Sequence, residues 1–241
     1  MKLENLSTGR ILKRYKRFFA DVELKGGETV VAHCPNTGSM KGCWEPGAPC
    51  QISFHDNPKR KLKWTLERVD MGAGWVGVNT GVVNGVIAEG IEAGRIGPLV
   101  DLGEVSREPA FNVEGHPKSR FDIKLTTATG ETTYVEIKNT TFLDEGVIKF
   151  PDAVTERGRK HLDLLEIAAS MGHQAFILFA ANRPESEQFE PARDVDPAYA
   201  GRLLEVMESG VKVIVARIHH LPDAIEVKGG ELWEPGKKIV D

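Results

Sequence analysis

Between Ser119 and Asn139 two short stretches alternate apolar with polar residues. In the first, Phe121, Ile123 and Leu125 alternate with Arg120, Asp122 and Lys124; in the second, Val135 and Ile137 alternate with Tyr134, Glu136 and Lys138. A period of two predicts a pair of half-buried strands, and Gly130, set among Thr and Glu, predicts the turn that joins them. Because alternate side chains of a strand share a face, Glu136 and Lys138 point the same way, and an antiparallel partner brings Asp122 opposite them. Two carboxylates and an amine would then occupy one site.

The chain before this hairpin reads as two regions. Strand-like runs fall on Arg10–Phe19, Asp21–Lys25, Thr29–His33, Cys50–Phe54, Lys61–Val69 and Trp75–Val78, with turns at Gly26-Gly27 and Asp56-Asn-Pro58 and no helical periodicity. Short strands at this density within about 80 residues predict a small barrel of OB type. From Asn79 the pattern changes. Asn84 is a candidate cap for a helix running to about Ala93, with Val86, Ile87 and Ile91 as its apolar stripe and Gly94 as its stop, although Gly85 and Gly90 weaken it. Its Glu89 and Glu92 could reach a site or face water.

A short strand is expected at Glu104–Glu108 before the hairpin. After it, Val147–Asp152 leads into a helix from about Ala153 to Met171, with Leu162, Leu165, Ala168 and Ala169 at helical spacing and Arg157, Arg159, Lys160 and His161 in its first half. The unbroken apolar run Gln174–Ala180 reads as a buried strand. A helix at Pro197–Ser209, stopped by Gly210, and a strand at Val211–Arg217 follow. This alternation of helices and strands predicts a mixed α/β fold, with residues 1–80 as an OB-like domain, 81–241 as an α/β domain, and the boundary at Val78 to Thr80.

Charge sharpens the division. The formal net charge of −4 argues against binding nucleic acid through overall charge, yet residues 1–80 carry 13 Lys and Arg against 8 Asp and Glu, and the remainder 18 against 27. The basic half is N-terminal. Within it, Arg10, Lys13, Arg14, Tyr15, Arg17, Phe18 and Phe19 interleave cations with aromatic rings, the combination that single-strand surfaces use for phosphates and bases; the same pattern also suits a strand with core aromatics and solvated charges. Lys59, Arg60 and Lys61 add a second basic cluster. The loop His33–Met40, rich in Asn, Thr, Gly and Ser, either bonds its own backbone or cradles an anion on exposed amides.

Cys34, Cys43 and Cys50 are odd in number and form no C-x-x-C pair, which predicts reduced thiols in place of a disulfide framework or zinc ribbon. His33 beside Cys34 is compatible with a metal ligand or with ordinary packing. The N-terminal Met-Lys-Leu-Glu-Asn-Leu has no apolar signal core, and no run approaches the ~20 apolar residues of a membrane span. A cytoplasmic protein is expected.

An acid on one strand followed by Glu-x-Lys on the next is the arrangement that metal-dependent phosphodiester cleavage uses. Asp122 and Glu136 would hold Mg²⁺, or Mn²⁺, through carboxylate oxygens, and Lys138 would orient or deprotonate a water beside the ion. Arg157, Lys160 or His161, near a helix N-terminus, could hold a phosphate. The same Glu-x-Lys pattern also occurs on ordinary solvated strand faces.

The chain resembles the sugar fermentation stimulation protein family along nearly its whole length, through Arg14-Tyr-Lys-Arg-Phe18, His33-Cys-Pro-Asn-Thr-Gly38, Asn57-Pro-Lys-Arg-Lys61, Ser119-Arg-Phe-Asp122, Val135-Glu-Ile-Lys-Asn139 and Phe150-Pro-Asp-Ala-Val-Thr-Glu-Arg-Gly-Arg-Lys-His161. The resemblance implies an N-terminal OB-like domain, a C-terminal domain related to the PD-(D/E)XK nucleases, and DNA binding. It places that nuclease motif on Asp122, Glu136 and Lys138; the proline that usually precedes the first acid is Phe121 here. The expected function is DNA binding with a Mg²⁺-dependent nuclease site and Arg120 among the nucleic-acid contacts. The alternatives are a non-catalytic DNA-binding regulator on a nuclease-like scaffold, tied only indirectly to sugar metabolism, and an interaction scaffold. DNA or RNA, strandedness and oligomeric state are left open.

Overall fold

The strands of the first 80 residues curl into a closed ring. β1 (Leu6–Tyr15), β2 (Phe19–Leu24), β3 (Thr29–His33), β4 (Pro49–Phe54) and β5 (Trp64–Asp70) hydrogen-bond in the order β3-β2-β1-β4-β5, and a parallel pairing of β3 with β5 completes the barrel. β6 (Trp75–Gly77) adds to the outer side of β5. Closure removes the open edges that a flat sheet would expose, and Ile11, Val22, Ala32, Cys50, Ile52 and Leu66 fill the interior. This is the five-stranded OB barrel that the turn spacing predicts. The structure is a computed structural model that describes residues 1–185 and 188–236; residues 237–241 of the expected second domain lie outside the described residues.

Two expectations in this half shift. The basic segment from Arg10 is not one strand: β1 begins at Leu6 and ends at Tyr15, and Lys16 and Arg17 turn the chain with φ of 49° and 64°. The run from Lys61 enters β5 only at Trp64. All three cysteines are free and buried, as expected for thiols that serve as packing.

In the second half, α1 (Thr80–Glu92) leads to β7 (Glu104–Arg107), a short pair β8 (Ala110–Phe111) and β9 (Ser119–Arg120), then β10 (Ile123–Thr126) and β11 (Thr132–Thr140). β12 (Phe142–Asp144), β13 (Val147–Phe150), α2 (Glu156–Ser170), β14 (Gln174–Ala181), β15 (Phe189–Pro191), α3 (Pro197–Glu208), β16 (Lys212–His220) and β17 (Ile225–Leu232) follow. The main sheet runs β17-β16-β14-β11-β10-β7, with β11, β14 and β16 parallel at its centre and antiparallel strands at its flanks. One face packs on Val83, Val86, Ile87 and Ile91 of α1; the other packs on Leu162, Leu165 and Ala168 of α2 with Tyr199, Leu203 and Val206 of α3. β14 is buried on both faces, which is why its sequence is unbroken in apolar character.

Helix α1 begins four residues before Asn84. Asn79 is the actual cap: its Oδ1 accepts from the Gly81 amide at 3.0 Å while its Nδ2 donates to Glu67 Oε2 at 2.8 Å. Gly90, which weakened the helix on propensity, lies where a Cβ would come within 2.4 Å of Val227 on β17, so the glycine allows the helix to approach the sheet. The hairpin prediction holds for Ile123, Leu125, Val135 and Ile137, which share the α1 face. Phe121 does not join them. It packs against Phe111 and Tyr134 on the opposite face, because its amide bonds Pro109 O and the chain leaves the ladder at residues 121 and 122.

Candidate active site

That departure from the ladder places Asp122. Regular pairing of β10 with β11 begins at Ile123 opposite Val135, so the Ile137 amide is left without a strand partner on that side. Asp122 supplies one from its side chain: Oδ2 accepts from Ile137 N at 2.7 Å, and Oδ1 accepts from Asn84 Nδ2 of α1 at 2.8 Å. The residue expected to cap the helix is therefore a positioning residue for the first acid.

Glu136 and Lys138 share the opposite face of β11, as the period of two requires. Lys138 Nζ donates to Glu136 Oε1 at 2.6 Å, and His161 Nδ1 bonds the same oxygen. Among the described residues no bond falls on Oε2. Arg157 Nε donates to His161 Nε2 at 3.4 Å. A guanidinium can only donate, so Nε2 is the acceptor and the ring proton sits on Nδ1, directed at Glu136. The α2 backbone that presents these groups is set by Thr155, whose Oγ1 accepts from the Gly158 amide at 3.0 Å.

The field within this cluster is uneven. Asp122 is raised above its usual range by burial and then by the negative charge of Glu136, partly offset by the Ile137 amide, Lys138 and Asn84. Burial alone would also raise Glu136, but the His161 bond and the Lys138 ammonium outweigh it and hold the group low. Below Glu136, Tyr199 is fully buried with its hydroxyl unpartnered among the described residues, and burial with the nearby charges of Glu136 and Asp196 raises it well above the usual phenol range. Two opposed carboxylates beside one ammonium define a site whose local charge a divalent cation would balance. Mg²⁺ takes one or two protein carboxylates and retains water, and Asp122 and Glu136 are the carboxylates that could serve; among the described residues no group of three or more His, Cys, Asp and Glu is arranged to hold an ion.

His161 also lines a groove of about 590 Å³ between α2 and the segment from His116 to Arg120. Lys118 and Arg120 line it from that segment, and Arg157, Lys160, Asp163, Leu164 and Ile167 from α2. Four of the expected nucleic-acid contacts, Arg120, Arg157, Lys160 and His161, thus line one groove, and of these His161 reaches Glu136. Those of the barrel lie elsewhere. Arg10 donates to Gly47 O at 2.7 Å. Lys13 lies over the Tyr15 ring, which stacks on Phe19 and bonds Asp21 through its hydroxyl. Arg14 bonds the carbonyls of Arg17, Asn36 and Gly38, and Arg60 bonds Thr65 Oγ1 at 2.6 Å. Arg17, Lys59 and Lys61 are exposed.

The loop after His33 does both things its sequence allows. Gly38 N bonds Asn36 Oδ1 within the loop, while Ser39 N and Oγ bond Asp152 Oδ2 at 3.0 and 2.9 Å. The anion it holds is a carboxylate of the same chain. Asn84 and Tyr199 are site neighbours that no local sequence signal marks, since both arrive from distant helices.

An OB barrel followed by an α/β domain, with an acidic and lysine cluster on the central hairpin, is the class of protein this chain represents. Its residues 12–78 match the family model "SfsA N-terminal OB domain" and 81–224 match "Sugar fermentation stimulation protein RE domain". The chain belongs to the sugar fermentation stimulation protein family. A homolog of that name from Magnetococcus marinus is 44% identical over 87% of this chain and 88% of its own, and one from Geotalea uraniireducens is 41% identical over 91% and 93%. The solved structure of Pyrococcus furiosus SfsA in complex with Ca²⁺ is 24% identical and superposes with a TM-score of 0.82 over 95% of this chain and 96% of that one, which establishes the shared fold.

Proposed function

We propose that the protein binds DNA and hydrolyses its phosphodiester bonds with Mg²⁺. The observation that carries this reading is that His161, which bonds Glu136 beside Lys138, also lines a groove that carries Lys118, Arg120, Arg157 and Lys160. Asp122 and Glu136 would hold the ion, with Mn²⁺ as a substitute; the Pyrococcus furiosus SfsA complex with Ca²⁺ supports a divalent cation in this fold. When bound, the ion supplies charge neutralisation at the scissile phosphate and a more acidic water. Lys138, whose ammonium bonds Glu136 Oε1, would orient that water, and His161 shares the same Glu136 oxygen. Arg120, Arg157, Lys160 and Lys118 fix the flanking phosphates and thereby the in-line approach. Three buried free thiols and the absence, among the described residues, of any helix long and apolar enough to cross a membrane support a cytoplasmic setting.

Single- and double-stranded DNA and RNA incubated with Mg²⁺ or Mn²⁺ test the proposal: cleavage of at least one DNA substrate, lost in Asp122→Asn, is expected, and no cleavage under any of these conditions overturns it. One observation favours a second reading. Glu136 is already paired with both Lys138 and His161, an arrangement that a non-catalytic DNA-binding protein could keep for stability. That protein would bind DNA with a steep salt dependence and would tolerate Asp122→Asn in a cellular assay.

A further inference from the structure

Independently of the nuclease site, a cavity of about 540 Å³ opens where the barrel meets the first turn of α1, a volume suited to a small metabolite. Its walls carry an unusual carboxylate. Glu67 on β5 is 5% exposed, and among the described residues its oxygens meet only neutral donors, Ser53 Oγ at 2.5 Å and Asn79 Nδ2 at 2.8 Å. A carboxylate only accepts, so the Ser53 proton points at Glu67 and the Ser53 oxygen accepts from His55 Nε2, 2.8 Å away. The neighbouring Arg68 is close enough to Glu67 for the two charges to interact, but the Arg68 hydrogen bonds run to Gln51, Leu221 and Pro222, so the Glu67 oxygens keep lone pairs for a further donor.

The rest of the lining is mixed, with Glu4 among it beside the basic groups Lys2 and Arg60. Arg60 reaches over β5 to Thr65 Oγ1 through one nitrogen, leaving its other donors for the cavity. His33 stands close enough to Arg60 for that charge, after burial, to depress the imidazole, and Lys2 lies on the rim. The lining thus combines the donors and charge of Arg60 and Lys2 with one buried acceptor, Glu67. We propose that this cavity binds a small phosphate monoester bearing hydroxyl groups, with Arg60 and His33 on the phosphate and Glu67 accepting from a hydroxyl. The ligand would sit against α1, the helix whose Asn84 holds Asp122.

Calorimetric titration of the full chain with inorganic phosphate, ribose 5-phosphate and ribose tests the assignment. Ribose 5-phosphate should bind saturably, at least about tenfold more tightly than inorganic phosphate, and ribose alone should not bind. Arg60→Ala should weaken both phosphate probes, whereas Glu67→Gln, which keeps the shape and the Ser53 contact, should weaken ribose 5-phosphate alone by about tenfold; thermal unfolding confirms that each variant is folded. Three outcomes would overturn the proposal: no saturable binding of either phosphate probe, binding unchanged in both variants, or displacement of ribose 5-phosphate by a short DNA strand, which would make the cavity part of a nucleic-acid track.

Discussion

His220 makes the junction between barrel and α/β domain sensitive to acid. Arg68 of β5, fully buried, crosses to the C-terminal half and donates to Leu221 O at 2.7 Å and Pro222 O at 2.6 Å, with its Nε on Gln51 Oε1 at 2.8 Å. Its Nη1 also lies 3.4 Å from His220 Nδ1, and His220 Nε2 is 2.7 Å from Asn182 Oδ1. The arginine fixes the tautomer, so Nδ1 accepts and the proton on Nε2 goes to Asn182. Burial, then the charges of Arg68 and His219, lower this imidazole from 6.5 to about 3. The folded value lies below the unfolded one, so the unfolded chain takes up a proton below pH 6.5 that the native protein refuses until near pH 3. Stability is therefore complete above about pH 6.5 and is lost as the pH falls through that window. At ~1.4 kcal/mol per pH unit, the loss is about 2 kcal/mol at pH 5, a substantial part of a typical total of roughly 5–15 kcal/mol.

Urea unfolding near pH 7.5 and near pH 5, in the wild type and in His220→Gln, isolates this group. His33 is also depressed and acts in the same direction, but it is present in both proteins. Carboxylates held low, such as Glu136, lose their contribution only as the pH falls toward and below their unfolded values. The wild type should lose about 2 kcal/mol more than the variant between the two conditions. Equal losses, or an NMR titration of His220 with its midpoint near 6.5, would refute the reasoning.

Other consequences are more local. Gly77→Ala would drive a Cβ to 2.2 Å from Asn182 Oδ1 and should cost about 1–3 kcal/mol in thermal or urea unfolding. Arg157→Ala and Lys160→Ala should each flatten the slope of log binding constant against log salt by about 0.9 if each contacts one phosphate, whereas changing the engaged Arg14 should act chiefly on stability. Asn84→Ala removes the donor to Asp122 Oδ1 and should raise the Mg²⁺ concentration needed for half-maximal cleavage by about 10–100-fold while leaving DNA binding intact.

Much of the site was legible because it depends on local periodicity. Alternation in β11 put Glu136 and Lys138 on one face, and the apolar spacing of α2 carried Arg157, Lys160 and His161 with it. What escaped depends on contacts distant in sequence. Phe121 continues the alternation of Ile123 and Leu125 on paper, yet the bond of its amide to Pro109 turns it into the other layer. Asn84 reads as a cap only while Asn79 is not known to be tied to Glu67. Arg68 has no local signal of burial, because the carbonyls it bonds lie more than 150 positions away. β17 went unseen because Glu226, Lys228, Gly229 and Gly230 interrupt its pattern; Gly230 packs where a Cβ would meet Ile96 at 3.0 Å.

In the proposed reaction Lys138 acts on a water held beside Asp122 and Glu136. Single-turnover cleavage of a labelled oligonucleotide with Mg²⁺, run on the wild type and Lys138→Ala with DNA binding measured in parallel, tests it most directly. Cleavage by the wild type and a loss of about 10²–10⁴-fold in the variant, at nearly unchanged affinity, are expected. Equal rates in the two proteins, or no cleavage by the wild type while both bind DNA, would contradict it.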